Sequence, residues 1–368
     1  MTPALFGSGG TVGGGERYAL ELARHMADRV PTTLLSFGDR SREEWMGQLH
    51  VKILGNAVYV RNQPSNPISL GLIPEVLRAD VVHCHQQHVI ASSVAAIASR
   101  LRRGRVFVSD LGGGGWDVSA YVSTDRWYHG HLHISAYSRR VFGHDGKPWA
   151  HVVYGGVDVE KFRPASPNAE GPRPVLYVGR LLAHKGVNDL VDAAPPDFPL
   201  EIVGRPHDDR FLQDIRRRAA GKAVVFRHEC DDDDVVGAYQ RALCIVLPSV
   251  YRTMYGATTK VPELLGQTLL EGMACGIPAI CTDVASMPEV VEHGVTGFVV
   301  PPNDPVSLRA KLIWLSEHPG QAAAMGGAGR RRVLARFTWD RVVDRCLAIY
   351  RLPRPSGLAA ATEPAPAG

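Results

Sequence analysis

The sequence has almost no net charge, no metal-type cysteine spacing, no long apolar run and no solenoid-period repeat, and each lack removes a class of protein. Its 41 Lys and Arg stand against 37 Asp and Glu, a surplus of only +4, which is too small to argue for nucleic acid as the main partner. The local clusters Arg102-Arg-Gly-Arg105 and Arg139-Arg140 read as solvated faces, so membrane association is possible but not indicated. Cys84, Cys230, Cys244, Cys275, Cys281 and Cys346 are scattered, mostly among apolar residues, and read as buried thiols of a reducing compartment. No N-terminal stretch pairs basic residues with an apolar core and a cleavage site, and no apolar run approaches the roughly 20 residues that span a bilayer. The expected location is the cytoplasm. The absence of solenoid periods excludes a repeat array.

What the sequence does have is the composition of a globular chain: 368 residues, 45% hydrophobic and 21% charged. At roughly 150 residues per domain this implies two domains or one large barrel. Its 38 glycines bunch into short runs between apolar stretches, which marks places where backbone must come close to something.

Helical periodicity over Glu16–Ala27 follows the first glycine run, and Thr32–Phe37 reads as a strand. Ala79–His83 ends a second strand, Ala91–Leu101 is an alanine-rich helix and Arg105–Ser109 is another strand. After the proline-rich stretch between Arg163 and Pro174 the alternation restarts: strands at Val175–Val178, Leu200–Val203, Ala223–Phe226 and Cys244–Leu247 interleave with helices near Val187–Ala194, Phe211–Ala220 and Asp234–Ala242. Such alternation predicts an α/β fold with parallel sheets, in two halves of similar size. The boundaries read from it are an N-terminal domain over 1–163, a linker over 164–174, a C-terminal domain over 175–337, a terminal helix over 338–351 and a disordered tail over 352–368.

Three features carry chemistry. In the run Gly9-Gly-Thr-Val-Gly13-Gly14-Gly15 ahead of a helix, small residues let backbone N–H groups and the helix's positive end approach an anion such as a diphosphate. It lacks the strand and the spacing of the dinucleotide fingerprint, and a plain turn is the other reading. Next, Gly179-Arg180 and Lys185-Gly186 place two cations at the carboxyl edge of a parallel sheet, where open α/β sheets bind ligands. An arginine with a lysine is a natural clamp for two phosphates. Third, Glu263 and Glu271 form a Glu-x7-Glu pair, the first in a loop and the second about two turns into a helix. Carboxylates accept hydrogen bonds from the paired hydroxyls of sugar and ribose rings. The backbone N–H groups of Gly266, Gln267, Thr268 and Leu269, opening that helix, are a further anion site.

The ordered set Gly-Arg…Lys-Gly, Leu247-Pro-Ser, Glu-x7-Glu with Glu-Gly-Met-Ala-Cys-Gly-Ile-Pro, and Met287-Pro-Glu-Val-Val…Gly-Val-Thr-Gly297-Phe-Val-Val-Pro-Pro resembles the retaining glycosyltransferases of family 4. Asp80-Val-Val-His83-Cys-His85, Gly155-Gly-Val-Asp158 and Phe337-Thr-Trp339-Asp are similar to further segments of that family, so the resemblance runs from about Gly9 to Tyr350. It implies the GT-B architecture of two facing Rossmann-like domains, with a C-terminal helix returning to the first domain.

By the same resemblance, Arg180 and Lys185 would neutralise the donor's diphosphate, Glu263 would bind the donor sugar and Glu271 the ribose, and Gly13, Gly14 and Gly15 would approach the donor from the other domain. Gly179, Gly266, Gln267, Thr268 and Leu269 complete the expected donor site. The resemblance implies a nucleotide diphosphate sugar as co-substrate, a small-molecule, glycolipid or glycan acceptor, and no cofactor or metal. The acidic run Asp231–Asp234 is then the first turn of a helix, where acids suit the helix dipole.

Two departures from the family pattern stand out. Where family members carry a histidine after the strand at Arg105–Ser109, this chain has Asp110-Leu111-Gly112-Gly113-Gly-Gly-Trp116-Asp117. Either Asp110 or Asp117 substitutes for it, with Gly112, Gly113 and Trp116 on the acceptor side, or the glycine loop is used differently. The stretch Val250–Lys260 is longer than the usual link and is read as a flap over the sugar pocket. His83, His85 and His88, and His129, His131 and His133, cluster without the cysteine or carboxylate that would complete a zinc set, and no metal site is assigned. A non-catalytic nucleotide-sugar binder and a sugar-nucleotide epimerase of the same fold stay open as alternatives. A nicotinamide oxidoreductase is disfavoured, because the first glycine run lacks both the fingerprint spacing and a ribose-binding acid.

Overall fold

The computed structural model describes residues 14–112, 115–165 and 173–352. In chain order the elements are α1 (Gly14–Ala27), β1 (Thr33–Phe37), β2 (Arg42–Met46), β3 (Leu49–Leu54), β4 (Val58–Tyr59), β5 (Pro67–Ile68), α2 (Leu72–Arg78), β6 (Val81–Cys84), α3 (Ile90–Leu101), β7 (Arg105–Val108), β8 (Gly130–His133), α4 (Ala136–Val141) and β9 (Ala150–Val152). They continue with β10 (Val175–Val178), α5 (Val187–Ala193), β11 (Leu200–Val203), α6 (Asp209–Arg218), β12 (Val224–Arg227), α7 (Asp232–Arg241), β13 (Cys244–Leu247), α8 (Gln267–Ala274), β14 (Ala279–Thr282), α9 (Met287–Val290), β15 (Gly297–Val300), α10 (Pro305–Glu317), α11 (Pro319–Arg336) and α12 (Trp339–Arg351). The chain divides into two units. The first takes in the chain up to Ile134, then Arg139–Tyr154 and the return from Trp339; the second takes in Ser135–Ser138 and Gly155–Thr338.

In the first unit β6, β7, β8 and β9 form a parallel sheet in that order. β1, β3 and β2 form a second, mixed sheet in which β1 and β3 run parallel and β2 turns back antiparallel. Every residue of β2 is exposed, so this ribbon has no buried-face signal and left no strand pattern in the sequence reading. The alanines of α3 let it lie close against Cys84, Val106 and Val108, in a core shared with Leu72, Val76 and Tyr128. α12 belongs to this unit: Trp339 packs on Tyr18 of α1 with ring centroids 5.4 Å apart, and Tyr350 packs on Phe107 at 4.8 Å.

The second unit has one six-stranded parallel sheet in the order β12-β11-β10-β13-β14-β15. Its central strands are buried along their length, as a sheet covered on both faces requires. The order reverses between β10 and β13, which is the topological switch point of a doubly wound sheet.

The units part at Tyr154 and Gly155, ahead of the expected boundary at residue 163. The physical reason is that 155–163 are held by the second unit. Val157 N–H donates to the Phe337 carbonyl at 2.8 Å, and Phe162 packs edge-on against Tyr239 at 5.8 Å. Part of the expected linker and nearly all of the expected tail lie outside the described residues. Among the described residues no helix is long and apolar enough to cross a membrane. All six cysteines are free thiols, five of them buried.

Candidate active site

The carboxyl ends of β10 and β13 flank the switch point of the second unit, and both continue into loops that carry the expected donor residues. Beyond β10 the chain turns through Gly179 and the exposed Arg180, then makes a single 3-10 turn over Ala183–Lys185. Gly186 follows with φ 66°, and a Cβ there would stand 1.9 Å from the Pro248 carbonyl oxygen. No other residue type can hold the two loops this close. The approach is locked by Val250 N–H donating to the His184 carbonyl at 2.8 Å. Burial, with the neighbouring Lys185 charge, pushes the His184 imidazole below its ordinary pKa.

At this crossing Lys185 Nζ forms an ion pair with Glu263 Oε1, with both side chains only 13% exposed. Ser249 Oγ donates to the same carboxylate at 3.4 Å, and the Ser249 carbonyl is held by Thr282 Oγ1 at 2.5 Å. Three strand ends, β10, β13 and β14, therefore fix one carboxylate–ammonium pair. Such a pair persists in a low-dielectric pocket only while each partner compensates the other's lost hydration. An anion arriving beside Lys185 would release Glu263 to accept hydrogen bonds from hydroxyls.

Glu263 lies in the loop ahead of α8, and Glu271 lies on α8 itself. Gly266 caps that helix from the left-handed region at φ 84°. The capping residue offers no side chain to the first-turn N–H groups; Leu269 N–H donates to the Gly266 carbonyl at 3.0 Å, which leaves the N–H groups of Gln267 and Thr268 for a ligand. Thr268 Oγ1 in that turn is buried with no partner among the described residues, a costly state that a bound acceptor group would relieve. Gln267 is tied elsewhere, its amide donating to the Gly156 carbonyl at 3.0 Å. Glu271 is buried, and the fully buried Tyr239 hydroxyl donates to its Oε2 at 2.8 Å. Tyr239 is a partner that the sequence reading did not single out: it belongs to no motif, and only the packing of α7 brings it to Glu271. Ser249 closes the Leu247-Pro-Ser motif, but its meeting with Glu263 comes only from the fold.

In the first unit Gly14 opens α1, and a Cβ on Gly15 would meet Leu111 at 3.5 Å, so the start of α1 adjoins the loop after β7. Gly13 and Gly113 lie outside the described residues. Asp110 is nearly enclosed. Its Oδ1 accepts from Gly112 N–H at 3.0 Å, its Oδ2 lies 3.8 Å from His88 Nε2, and burial raises its carboxyl above the usual range. Asp117 is committed to the fold: its carboxylate accepts from Ser93 Oγ at 2.6 Å, from Ser119 N–H at 2.9 Å and from Ser119 Oγ. The indole of Trp116 lies under the Arg61 guanidinium at 4.2 Å. Gly115, in the same glycine run, is held against the His88 carbonyl, which a Cβ would meet at 2.5 Å.

Two secondary readings meet the structure in different ways. The acidic run is the start of α7, where Asp231 and Asp234 form a reciprocal capping box. The long link after Ser249 is a small hairpin: Thr253 and Gly256 close its turn, Arg252 bridges Thr258, and Tyr255 rests on α6 with its hydroxyl on Asp214 and the Arg210 guanidinium 4.4 Å from its ring.

A doubly wound sheet with a part-buried Lys–Glu pair at its switch point defines the class: an α/β protein whose strand ends present a cation, a carboxylate and a helix start at the place where such sheets bind ligands. Residues 12–161 match the family described as Glycosyltransferase Family 4, and residues 158–332 match Glycosyl transferases group 1. The chain belongs to the family-4 glycosyltransferases and has the GT-B fold. It is 33% identical over 196 residues to D-rhamnosyltransferase WbpZ of Pseudomonas aeruginosa, covering 51% of this chain and 49% of that relative. It is 28% identical over 325 residues to the alpha-maltose-1-phosphate synthase of Mycolicibacterium smegmatis, covering 77% and 81%. The crystal structure of a glycosyltransferase from Rickettsia africae superposes with a TM-score of 0.73 at 18% identity, covering 95% and 96%.

Proposed function

We propose that the chain moves a sugar from a nucleotide diphosphate sugar, UDP- or GDP-linked, to an acceptor hydroxyl or amine with retention at the anomeric carbon. The observation that carries this reading is the part-buried Lys185–Glu263 pair at the switch point, beside a helix start without a capping side chain. Arg180 and Lys185 take the diphosphate and stabilise the charge that grows on it as the glycosidic bond breaks. Glu263, released from Lys185, accepts from the sugar hydroxyls, and Glu271, oriented by Tyr239, accepts from the ribose. The acceptor attacks on the face that the phosphate leaves, and its proton passes to the departing phosphate oxygen. The protein contributes position and charge, with no covalent nucleophile. Two fixed cations then supply the counter-charge that a metal would otherwise provide. On the acceptor side Asp110 is favoured over Asp117, whose oxygens are already engaged within the fold.

Slow release of UDP or GDP from a panel of nucleotide sugars, without acceptor, tests the reading. Lys185→Ala should lower that rate by about 10²–10³-fold, with the fold intact by circular dichroism. If Arg180→Ala and Lys185→Ala both leave donor affinity unchanged, the phosphate clamp is wrong. Nucleotide binding with no turnover of any donor would favour a non-catalytic nucleotide-sugar binder.

A further inference from the structure

The first unit contains a histidine cluster that the transfer reaction does not use. Alternation along β8 puts His131 and His133 on one face, with rings stacked 6.2 Å apart. His129, grouped with them in sequence, is directed elsewhere: its Nδ1 accepts from Val106 N–H at 3.1 Å. The third ring is His144, from the turn between α4 and β9. It stands edge-on to His131 at 4.7 Å and to His133 at 5.1 Å. One nitrogen of each ring lies within 4.8 Å of one on each of the others, and the closest approach is His133 Nε2 to His144 Nδ1 at 3.0 Å.

Asp125 orders two of the rings. Its carboxylate lies 3.5 Å from His144 Nε2, and its backbone carbonyl lies 3.2 Å from His131 Nε2. The carboxylate is itself held by Gln87 Nε2 at 2.8 Å. With Nε2 as the protonated nitrogen, His144 turns the Nδ1 lone pair toward the centre of the cluster. A carboxylate behind a histidine is the arrangement that orients imidazole toward a metal. His133 Nδ1 is buried without a partner among the described residues. Moving its proton there breaks only the bond to His144, which a cation would replace. The rings of His131 and His133 are both buried. Trp149 and Phe142 pack around the rings. A cavity of about 230 Å³, lined by Gln87, Thr124, Asp125, Phe142 and His144 among others, leads to the cluster.

We propose that His131, His133 and His144 form a site for one divalent cation of the zinc class, with Asp125 orienting His144 and His131. Three imidazoles suit zinc and its neighbours cobalt, nickel and copper better than magnesium or calcium. The cavity reaches the cluster at His144, and a water would complete a four-coordinate ion. Bound there, the ion clamps the turn carrying His144 onto β8 and stabilises the first unit by mass action. This inference is independent of the donor site.

The test uses the full chain without a histidine tag, stripped with a chelator and titrated with Co²⁺. The expected result is the visible absorption of four-coordinate cobalt saturating at one equivalent and displaced by Zn²⁺, together with a Zn²⁺-dependent rise in Tm. His133→Gln and His144→Gln should abolish the band, Asp125→Asn should weaken Co²⁺ binding by about 10–100-fold, and His25→Gln, outside the cluster, should leave it unchanged. The proposal is overturned if the wild-type chain shows no saturable equivalent, a readout that needs no variant to fold. It is equally overturned if the band survives in both His133→Gln and His144→Gln.

Discussion

Single residues at the donor site do opposing things, and the opposition points to function. Lys185 and Glu263 neutralise one another while largely shielded from solvent, yet the same region holds Thr268 Oγ1 without a partner among the described residues and starts α8 with no capping side chain. A region built only for stability would satisfy the helix start and gain by replacing the ion pair with apolar packing. Asp189 on α5 shows a related cost away from the ligand groups. Burial, reinforced by Asp192, pushes its carboxyl up to about 6, and one of its oxygens has no partner among the described residues. A carboxylate whose pKa is higher folded than unfolded destabilises the fold above the folded value, and this penalty fades as pH falls toward the unfolded value. Asp189→Asn should therefore stabilise the chain by roughly 1–3 kcal/mol at pH 7. The gain should vanish near pH 4, as denaturant melts at the two pH values would show.

Among the elements, the clearest signals came from period and caps. The α/β alternation, the start of α7 in its acidic run and the placement of Glu263 ahead of α8 with Glu271 on it were all legible, because parallel strands are continuous apolar runs and helices announce their first turns. The exposed β2 ribbon escaped notice because nothing in it is buried. The link after Ser249 was legible as unusually long but not as a hairpin braced on α6. That bracing depends on Tyr255 meeting Asp214 and Arg210, residues far away in sequence. If this hairpin shapes substrate choice, Tyr255→Ala should cost about 1 kcal/mol through the lost hydrogen bond and cation–π contact and change the ratio of kcat/KM between competing donors or acceptors. An unchanged ratio with the stability loss present would reduce the hairpin to a structural role.

At the level of the whole molecule, two cores sit on one chain, and the last helix belongs to the first of them. α12 buries Trp339, Val342, Val343, Cys346 and Ile349, joins α1 through Trp339 on Tyr18 and His25, and meets the turn after α1 through Asp344 and Arg29 at 3.4 Å. Each large apolar side chain so buried contributes roughly 1.5–3 kcal/mol. Two units with separate cores need not melt as one. Trp339→Ala should destabilise the first unit by roughly 3 kcal/mol and lower its calorimetric transition, while the transition of the second unit moves less. A uniform shift of both would mean that the units unfold as one cooperative body.

The sequence by itself determined the fold class, the α/β alternation and the family, because these follow from apolar periodicity and from short motifs whose members are neighbours in the chain. It also placed Arg180 and Lys185 at a strand end, Glu263 in the loop ahead of a helix and Glu271 within that helix. Only the tertiary structure decided which groups meet: Lys185 on Glu263, Tyr239 on Glu271, Asp117 turned inward onto serines, and His144 completing a pair from β8 in place of His129. Those meetings depend on register and on side-chain direction between segments far apart along the chain, and no local pattern of residues encodes them.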